Sequence, residues 1–274
     1  MEETLPEKKS PSNVCLFISS SDNTRDIFYQ VHPAYQKFWP DLPFDRYVGL
    51  NSPASHLTGD FQVVQAPTSG WRTELYQQVM SLPRRFDYIL LFLDDFLILS
   101  RVKTKHIEAL ATKAIRAHLK YLRLIPQTRA WLPQAGKSLK TAFNPSTIEK
   151  IPKCTPYYSS LQVAFWEKGH LCDMLRLGGN IWDFENRSIQ GVEHYAVAGP
   201  PAINYIHVVE KGHWEPNVDR LFRKVGIHFD PSVRKMRPTH HLMWLWLNRL
   251  KFNLIGYSVV RLKRRILRHQ KDCQ

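Results

Sequence analysis

The segment Tyr88-Ile-Leu-Leu-Phe-Leu-Asp-Asp-Phe-Leu97 places an unbroken apolar run between two aspartates, Asp87 and Asp94. The run is too short for a buried helix and is typical of a strand that is buried on both faces of a sheet. Such strands lie at the centre of mainly parallel sheets in α/β proteins. Asp94 and Asp95 are therefore predicted to follow the carboxyl end of a central strand, where open α/β sheets bind their ligands.

The chain before this segment alternates between strand-like and helix-like patterns. Val14-Cys-Leu-Phe-Ile18 predicts a buried strand that ends in the polar run Ser19-Ser-Ser-Asp22. Two short strands are predicted at 46–50 and 61–64, after a helix over 26–38 that Pro33 must bend or restart. Another helix is predicted over 71–82, with Ser69 placed to cap its first N–H groups. This alternation predicts an α/β fold with a mostly parallel sheet.

The pattern after the segment is less regular. An amphipathic stretch predicts a helix over 104–124, and the stretch 126–156, with five prolines, is expected to be irregular. Regular structure is predicted to resume at 161–166 and to continue as a helix that Gly178-Gly179 stops. A short helix at 182–185 and a strand around 204–209 complete the prediction.

Composition limits the classes of function. The chain has a formal charge of +14 and a pI near 9.7, which favours anionic partners: nucleic acid, acidic phospholipid or phosphate-bearing substrates. Its four cysteines form no C-x-x-C pair, so neither a disulfide framework nor a zinc site is indicated. The charged N-terminus lacks the apolar core of a signal peptide, and no window has the roughly 18 to 20 uninterrupted apolar residues of a membrane-spanning helix. A cytoplasmic protein is expected.

The last part of the chain combines basic and aromatic residues. Between Met243 and Arg268, tryptophan, leucine and phenylalanine are interspersed with arginine and lysine. This composition is typical of a basic amphipathic helix in a membrane interface. We therefore predict a tail over 237–274 that contacts an anionic membrane surface. The adjacent His240 and His241 are not expected to share a metal ion, because neighbouring side chains point apart.

The aspartate pair predicts a metal site. Two adjacent carboxylates repel each other unless a cation neutralises them, and such oxygen ligands suit Mg²⁺ or Mn²⁺ on a diphosphate. The alternative is that one aspartate caps a turn while the other is solvated. The motif is also similar to the Asp-Asp motif of reverse transcriptases, but the chain before residue 88 offers no strand with the third aspartate of a polymerase. A nucleic-acid enzyme or binding protein and a non-catalytic membrane-associated scaffold are the alternative functions, and nucleic acid is the less expected partner.

Seven short motifs occur in order along the chain. They are Ser19-Ser-Ser-Asp22, Phe38-Trp-Pro-Asp41, Gly70-Trp-Arg72, Leu91-Phe-Leu-Asp-Asp-Phe96, Ser160-Leu-Gln-Val-Ala-Phe-Trp166, Gly179-Asn-Ile-Trp-Asp-Phe-Glu185 and Asn204-Tyr-Ile-His207. In this order they resemble a family of bacterial GT-A-like glycosyltransferases of surface-polysaccharide synthesis, of the lipopolysaccharide and capsule type. The aspartate motif departs from the Asp-x-Asp of many GT-A enzymes, which puts the second metal ligand in doubt.

The resemblance implies an α/β, GT-A-like fold and a transferase activity. One domain over 1–236 would combine a Rossmann-like nucleotide-sugar-binding half at 14–100 with an acceptor half at 101–236. The enzyme would move a sugar from a nucleotide-sugar donor to a lipid-linked or cell-surface glycan acceptor, with Mn²⁺ or Mg²⁺ as cofactor. Its expected place is the cytoplasm, peripheral on the inner face of the membrane, where the basic tail would dock.

The resemblance also implies roles for individual residues. Glu185, in the apolar setting of Trp182 and Phe184, is the expected base that deprotonates the acceptor hydroxyl in an inverting transfer, with Asp183 as its competitor. The ordinary alternatives are turn caps, a surface arginine, helix-surface acids and a core or edge histidine. The implied donor-binding residues are Ser19, Ser20, Asp22, Arg72, Asp94 and Gln162, and the implied metal ligands are Asp94, Asp95 and His207.

Overall fold

The predicted central strand is present in the computed structural model as β4 (Tyr88–Leu93). The structure describes residues 11–53, 61–126, 147–153 and 155–238. Four successive side chains of the strand, from Ile89 to Phe92, are fully buried. Because successive side chains of a strand point to opposite faces, both faces of the sheet must be covered. The assignment of this segment to a buried central strand is confirmed.

β4 lies inside an eight-stranded mixed sheet with the order β3-β2-β1-β4-β8-β6-β9-β7. Its other strands are β1 (Val14–Ser19), β2 (Asp45–Leu50), β3 (Phe61–Gln65), β6 (Tyr121–Arg123), β7 (Ile148–Lys150), β8 (Ala164–Glu167) and β9 (Tyr195–Val197). The pairs β2–β3, β1–β2, β1–β4 and β6–β9 are parallel, whereas β8 is antiparallel to both β4 and β6 and β7 is antiparallel to β9. The predicted α/β fold with a mainly parallel central sheet is confirmed.

One edge of this sheet collects the polar residues that follow the strands. Since β4 and β6 are both antiparallel to β8, they end at the same edge, together with β1, β2, β3 and β9. β8 begins there. We call this the carboxyl edge; it carries Ser20, Asn51, Asp94, Gln162 and Arg123. A separate two-stranded sheet is formed by β5 (Phe96–Ile98) and β10 (Tyr205–His207).

Most of the helices lie in stretches of the chain for which the sequence predicted a helix. Those of the described residues are α1 (Arg25–Val31), α2 (Pro33–Phe38), α3 (Trp71–Ser81), α4 (Thr104–Arg116), α5 (Lys168–Arg176), α6 (Ile181–Asn186) and α7 (Val218–Val225). Pro33 occupies the first turn of α2 and separates it from α1, as predicted. The predicted cap of α3 is wrong: Gly70, at φ +98°, is the N-cap, and the Glu74 carboxylate accepts hydrogen bonds from the N–H groups of Ser69 (2.8 Å) and Gly70 (2.9 Å).

The predicted helix over 104–124 is wrong in its second half. α4 ends at Arg116, and His118 adopts a left-handed φ of +48°, which stops the helix. β6 then joins the sheet between β8 and β9. The apolar residues of β6 continue the helical spacing of α4, but strand pairing inside the sheet outweighs this local pattern. The stretch 126–156, expected to be irregular, contains β7; residues 127–146 lie outside the described part of the chain.

Neighbouring side chains of β4 enter different parts of the core. Leu91 belongs to a cluster with residues of α3, α5 and α6, including Val79, Leu171 and Phe184. Phe92 faces the other way, and its ring centroid lies 5.5 Å from that of Tyr35 in α2. This alternation is the structural consequence of the unbroken apolar run.

The chain divides into two compact units, the first ending at Ile206 and the second beginning at His207. In the second, the antiparallel strands β11 (Val209–Glu210) and β12 (His213–Trp214) precede α7. Trp214 is buried and packs edge-on against Phe229 at 5.1 Å. The predicted division into 1–236 and a tail stays a prediction, and both the basic helix and the His240-His241 pair lie outside the described residues. Among the described helices, none combines the length and apolarity needed to span a bilayer.

Candidate functional site

The ends of β1 and β4 are joined by their side chains. Ser20 Oγ donates a 2.7 Å hydrogen bond to Asp94 Oδ2, and the Asp94 N–H bonds to the Ser19 carbonyl oxygen at 3.2 Å. Parallel pairing sets this contact, because the register places Ser19 beside Leu93. Two of the predicted donor-binding residues, Ser20 and Asp94, are thus brought together.

Asp95 lies in the two-residue turn between β4 and β5, near the buried Tyr35 and the partly buried Tyr205. Burial, followed by the charges of Asp95 and Asp94, raises the pKa of Tyr35 well above its usual range. The Tyr35 hydroxyl is buried and has no hydrogen-bond partner among the described residues. Burial also raises the pKa of Tyr205, with Asp95 as a further cause. Both phenols therefore stay protonated, but Tyr205 donates its proton to Gln162 Oε1, so of the two only the Tyr35 hydroxyl keeps a donor for a further hydrogen bond.

A divalent cation at the aspartate pair would have two carboxylates as ligands and would need further oxygen atoms from a bound substrate. Asp94 and Asp95 are both partly exposed, and no group of three or more His, Cys, Asp and Glu side chains suited to a metal occurs among the described residues. Mg²⁺ is commonly held in this way, by one or two carboxylates and the oxygens of a bound phosphate. His207, the third predicted ligand, opens the second unit, so its role stays a prediction.

Asp22 orders the loop that follows β2. Its carboxylate accepts hydrogen bonds from the N–H groups of Asn51 (3.1 Å) and Ser52 (3.2 Å), while its own N–H donates to Asn51 Oδ1 at 2.9 Å. Burial acts to raise the pKa of Asp22, but the hydrogen bonds from Ser52 and Asn51 outweigh it and lower the pKa. The turn-cap alternative describes these contacts, and donor binding by Asp22 stays a prediction.

Arg72 lies in the first turn of α3, which begins at the carboxyl edge. Its Nη1 is buried without a hydrogen-bond partner among the described residues, and it lies 3.0 Å from the position that a Cβ on Gly178 would take. Gly178 itself has a φ of +77°. A larger residue at 178 would therefore press on this guanidinium group. Its predicted role on the donor diphosphate is not tested by these contacts.

The two predicted catalytic acids lie on α6 in different settings. Asp183 is exposed, and its Oδ2 accepts the N–H of Asn180 (2.9 Å) in a capping box. Glu185 Oε1 accepts the N–H of Leu161 (2.9 Å) and the hydroxyl of Ser160 (3.4 Å). Glu185 is thereby fixed next to Gln162 at the carboxyl edge, whereas Asp183 stabilises the start of its own helix.

Gln162 and Arg123 extend the site along the edge. The Tyr205 hydroxyl bonds to Gln162 Oε1, and the N–H of Val163 donates to the same hydroxyl at 3.3 Å. Arg123, the last residue of β6, is only 4% exposed. Sequence reasoning missed Arg123 because it placed residue 123 in a helix. The signal was present, since an arginine interrupts the apolar run Tyr121-Leu-Arg-Leu-Ile125 after the position where α4 ends.

A cavity of about 380 Å³ lies at the opposite edge of the sheet, beside the start of β4 and the end of β8. Its lining includes Arg84, Asp87, Glu167, Lys168, Cys172 and Arg176. Ligands of open α/β sheets gather at the carboxyl edge, so this cavity is not part of the candidate site.

No family model matches the chain, and no curated protein matches it by sequence. Among solved structures, a homologue of Mycobacterium tuberculosis Rv0371c from Mycobacterium sp. strain JC1 is 13% identical, with 78% of this chain and 98% of that chain covered at a TM-score of 0.47. The 4-diphosphocytidyl-2C-methyl-D-erythritol synthase from Anaerococcus prevotii is 10% identical; the match covers 79% of this chain and 96% of that chain, with a TM-score of 0.41. S. aureus TarS 1–349 in complex with UDP-GlcNAc is 10% identical; the match covers 80% of this chain and 68% of that chain, with a TM-score of 0.38. At TM-scores of 0.47 or lower, we base no conclusion about activity on these likenesses.

Proposed function

We propose that the chain is a nucleotide-sugar-dependent glycosyltransferase whose donor binds at the carboxyl edge, across the ends of β1 and β4. The observation that supports this best is the 2.7 Å hydrogen bond from Ser20 to Asp94. It ties the polar loop after the first strand to the aspartate pair, so one extended ligand can contact both. A nucleoside diphosphate has the required length and charge, and this edge is where such sheets bind nucleotides.

The donor would lie with its nucleoside near Ser19 and Ser20 and its diphosphate at the aspartates. Asp22 would act on this region by holding the loop of Asn51 and Ser52, which borders the same edge. Arg72, in the first turn of α3, would contribute positive charge there, where backbone N–H groups also favour an anion. The resemblance implies these residues as donor-binding ones.

Mg²⁺ or Mn²⁺ would be held by Asp94 and Asp95, with His207 as a further ligand implied by the resemblance alone. When bound, the ion would offset negative charge on the departing nucleoside diphosphate. The protein contributes orientation: Ser20 fixes one oxygen of Asp94, and the protonated phenol of Tyr35, whose pKa the charges of both aspartates help to raise, supplies a donor near them.

Glu185 is the better candidate for the base. Its two described hydrogen bonds engage the same atom, Oε1, so Oε2 can accept the proton of an acceptor hydroxyl. The acceptor oxygen would then bond to the anomeric carbon while the bond from that carbon to the diphosphate breaks, with inversion. Asp183 uses a carboxylate oxygen in its capping box, on the exposed side of α6.

The acceptor is proposed to be a lipid-linked or cell-surface glycan of the lipopolysaccharide or capsule type. This rests on the resemblance and on the basic, aromatic composition of residues 237–274, which favours an anionic membrane surface. The enzyme would then act as a peripheral protein on the cytoplasmic face of the membrane.

Nucleotide binding tests the proposal directly. Thermal shift and calorimetric titration with a panel of nucleoside diphosphates and sugar nucleotides, with and without Mn²⁺, should show metal-dependent stabilisation of the full chain. Asp95→Asn should abolish the metal-dependent part. Asp173→Asn is the matched control, since Asp173 is exposed in α5 and pairs only with Arg176 among the described residues. If no nucleotide stabilises the wild-type protein, the proposal is wrong.

A further inference from the structure

Arg123 holds a buried positive charge whose hydrogen bonding is incomplete. Its Nη1 donates to the carbonyl oxygen of Tyr157 at 3.3 Å, whereas Nε and Nη2 are buried without a partner among the described residues. No described carboxylate forms an ion pair with it. Burying a charge without a partner is strongly unfavourable, so such a group calls for an explanation.

The two unpartnered donors are the two that point in the same direction. In a guanidinium group, Nε–H and the Nη2–H beside it lie on one edge and together bind both oxygens of a carboxylate or phosphate. Nη1 lies on the other side and is the nitrogen that Tyr157 holds. Arg123 is thus held at Nη1, and its Nε–H and Nη2–H have the geometry that binds both oxygens of an anion.

Three described neighbours of Arg123, namely Tyr121, Tyr205 and His194, do not neutralise it. Burial raises the pKa of Tyr121 and of Tyr205, and the charge of Arg123 only opposes that rise. Burial and then His170 lower the pKa of His194, and Arg123 acts in the same direction. All three neighbours are therefore neutral near pH 7, so none of them offsets the positive charge of Arg123.

The position of Arg123 along the carboxyl edge separates it from the aspartate pair. β8 lies between β4 and β6, so Gln162, which precedes β8, lies between the aspartates and Arg123. Neighbouring strands are about 4.8 Å apart, which places β6 roughly 10 Å from β4 on the side away from β1. A donor with its nucleoside at β1 and its diphosphate at β4 would direct its sugar towards β8, so the acceptor would approach that sugar from the side of β6.

We propose that Arg123 binds an anionic group with two oxygens, a phosphate or a carboxylate, on the acceptor rather than on the donor. The anion site follows from the geometry of Arg123, and its assignment to the acceptor rests on the proposed function. The acceptor substrate would accordingly be acidic, with its charged group on the side of Gln162 and Tyr205 away from Asp95.

Anion binding by the full chain, without nucleotide or metal, tests the site. Inorganic phosphate and acetate are titrated separately at constant ionic strength, and binding is followed by thermal shift and calorimetry. One of the two should raise the melting temperature of the wild-type protein, and the stronger identifies the chemical class. Arg123→Lys keeps the charge but loses the two-donor edge, so we expect at least about tenfold weaker binding. Arg85→Lys is the control, because Arg85 is exposed and paired with Asp45 near the other edge.

A second variant separates binding from folding. Arg123→Met removes an unpartnered buried charge and keeps an apolar side chain of similar length, so it should melt at or above the wild-type temperature and show no response to the anion. An unchanged anion response in Arg123→Lys overturns the proposal. So does displacement of the anion by UDP with Mn²⁺, which would assign Arg123 to the donor. Loss of the anion response in Arg123→Lys without any nucleotide binding supports the anion site and contradicts only the glycosyltransferase.

Discussion

The Nε2 atoms of His170 and His194 lie 2.8 Å apart in the core of the protein. His194 Nδ1 lies 3.3 Å from the carbonyl oxygen of Tyr158, which can only accept a hydrogen bond. His194 therefore carries its proton on Nδ1, and its Nε2 accepts from the Nε2–H of His170. Protonation of His194 would place its Nε2–H opposite the Nε2–H of His170, where the two donors repel each other. The pair is therefore stable only while His194 is neutral.

This pair predicts a loss of stability in mild acid. Burial lowers the pKa of His170 to about 4 and that of His194 to about 3, from 6.5. Above pH 6.5 both rings are neutral in the folded and unfolded chains, so they add no pH dependence. Below it the unfolded chain takes up protons that the folded chain does not, and the free energy of unfolding falls by up to about 1.4 kcal/mol per pH unit for each histidine, until the pH nears the folded pKa.

Urea unfolding between pH 7 and pH 5 measures this effect. The midpoint should fall steadily over that range. His194→Gln should reduce the slope, because one titrating ring is removed while an acceptor for His170 is kept. His228→Gln is the matched control, since it removes a histidine that lies outside the pair. Equal midpoints at pH 7 and pH 5 would contradict the neutral pair.

Gly49 in β2 is required by a close approach of Gln78. A Cβ at position 49 would overlap Oε1 and Cδ of Gln78, which is 1% exposed. The Gln78 amide also reaches the carbonyl oxygens of Ser20 (3.4 Å) and Leu50 (3.5 Å) at the carboxyl edge. Gly49→Ala should therefore lower the free energy of unfolding by about 1–3 kcal/mol.

A double-mutant cycle shows whether this clash is the cause. Gln78→Ala removes the obstructing amide, so adding Gly49→Ala to it should cost clearly less than Gly49→Ala alone. Chemical denaturation of the four proteins gives the coupling. Additive costs would show that Gly49 is needed for another reason.

Ser20 should matter for ligand binding more than for stability. Ser20→Ala removes the hydroxyl that orients Asp94, and a hydrogen bond to a charged group contributes about 1.5–3 kcal/mol. We expect roughly tenfold or greater loss of Mn²⁺-dependent affinity for a nucleoside diphosphate. Ser21→Ala is the matched control, because Ser21 Oγ contacts only Thr24 among the described residues, at 3.1 Å. Equal affinities of the two variants would show that the contact between Ser20 and Asp94 has no part in binding.

The sequence predicted the first half of the fold well because local pattern and tertiary environment agree there. The buried run of β4 and the Pro33 break between α1 and α2 have local causes that a single sequence shows. The β6 strand was missed because its apolar residues fit the helical stripe of α4 equally well. Only pairing with β8 and β9, which are far away in sequence, decides between the two.

The candidate site was predictable where it follows a strand end and hidden where it depends on long-range contacts. Ser20 and Asp94 were found from their positions after apolar runs, and their contact follows from parallel pairing. Tyr35 and Arg123 were not, since only the tertiary structure shows that the Tyr35 hydroxyl and two guanidinium nitrogens of Arg123 are buried without a partner in the described part of the chain. Burial of a polar atom is a property of the whole fold, which local pattern does not contain.

Glu185→Gln and Asp183→Asn distinguish the two acids by activity. A glutamine at 185 keeps an oxygen for the Leu161 N–H and the Ser160 hydroxyl, so the loop before β8 should stay in place. It cannot take the proton of the acceptor, so kcat should fall by about 10²- to 10⁴-fold while donor affinity is kept. An asparagine at 183 can still accept the Asn180 N–H, and with no proton to move, its kcat should equal that of the wild type. Steady-state rates with an active donor, together with donor titrations of each variant, give the answer. If Asp183→Asn loses turnover and Glu185→Gln does not, the exposed acid of the capping box is the base, and Glu185 only secures the loop.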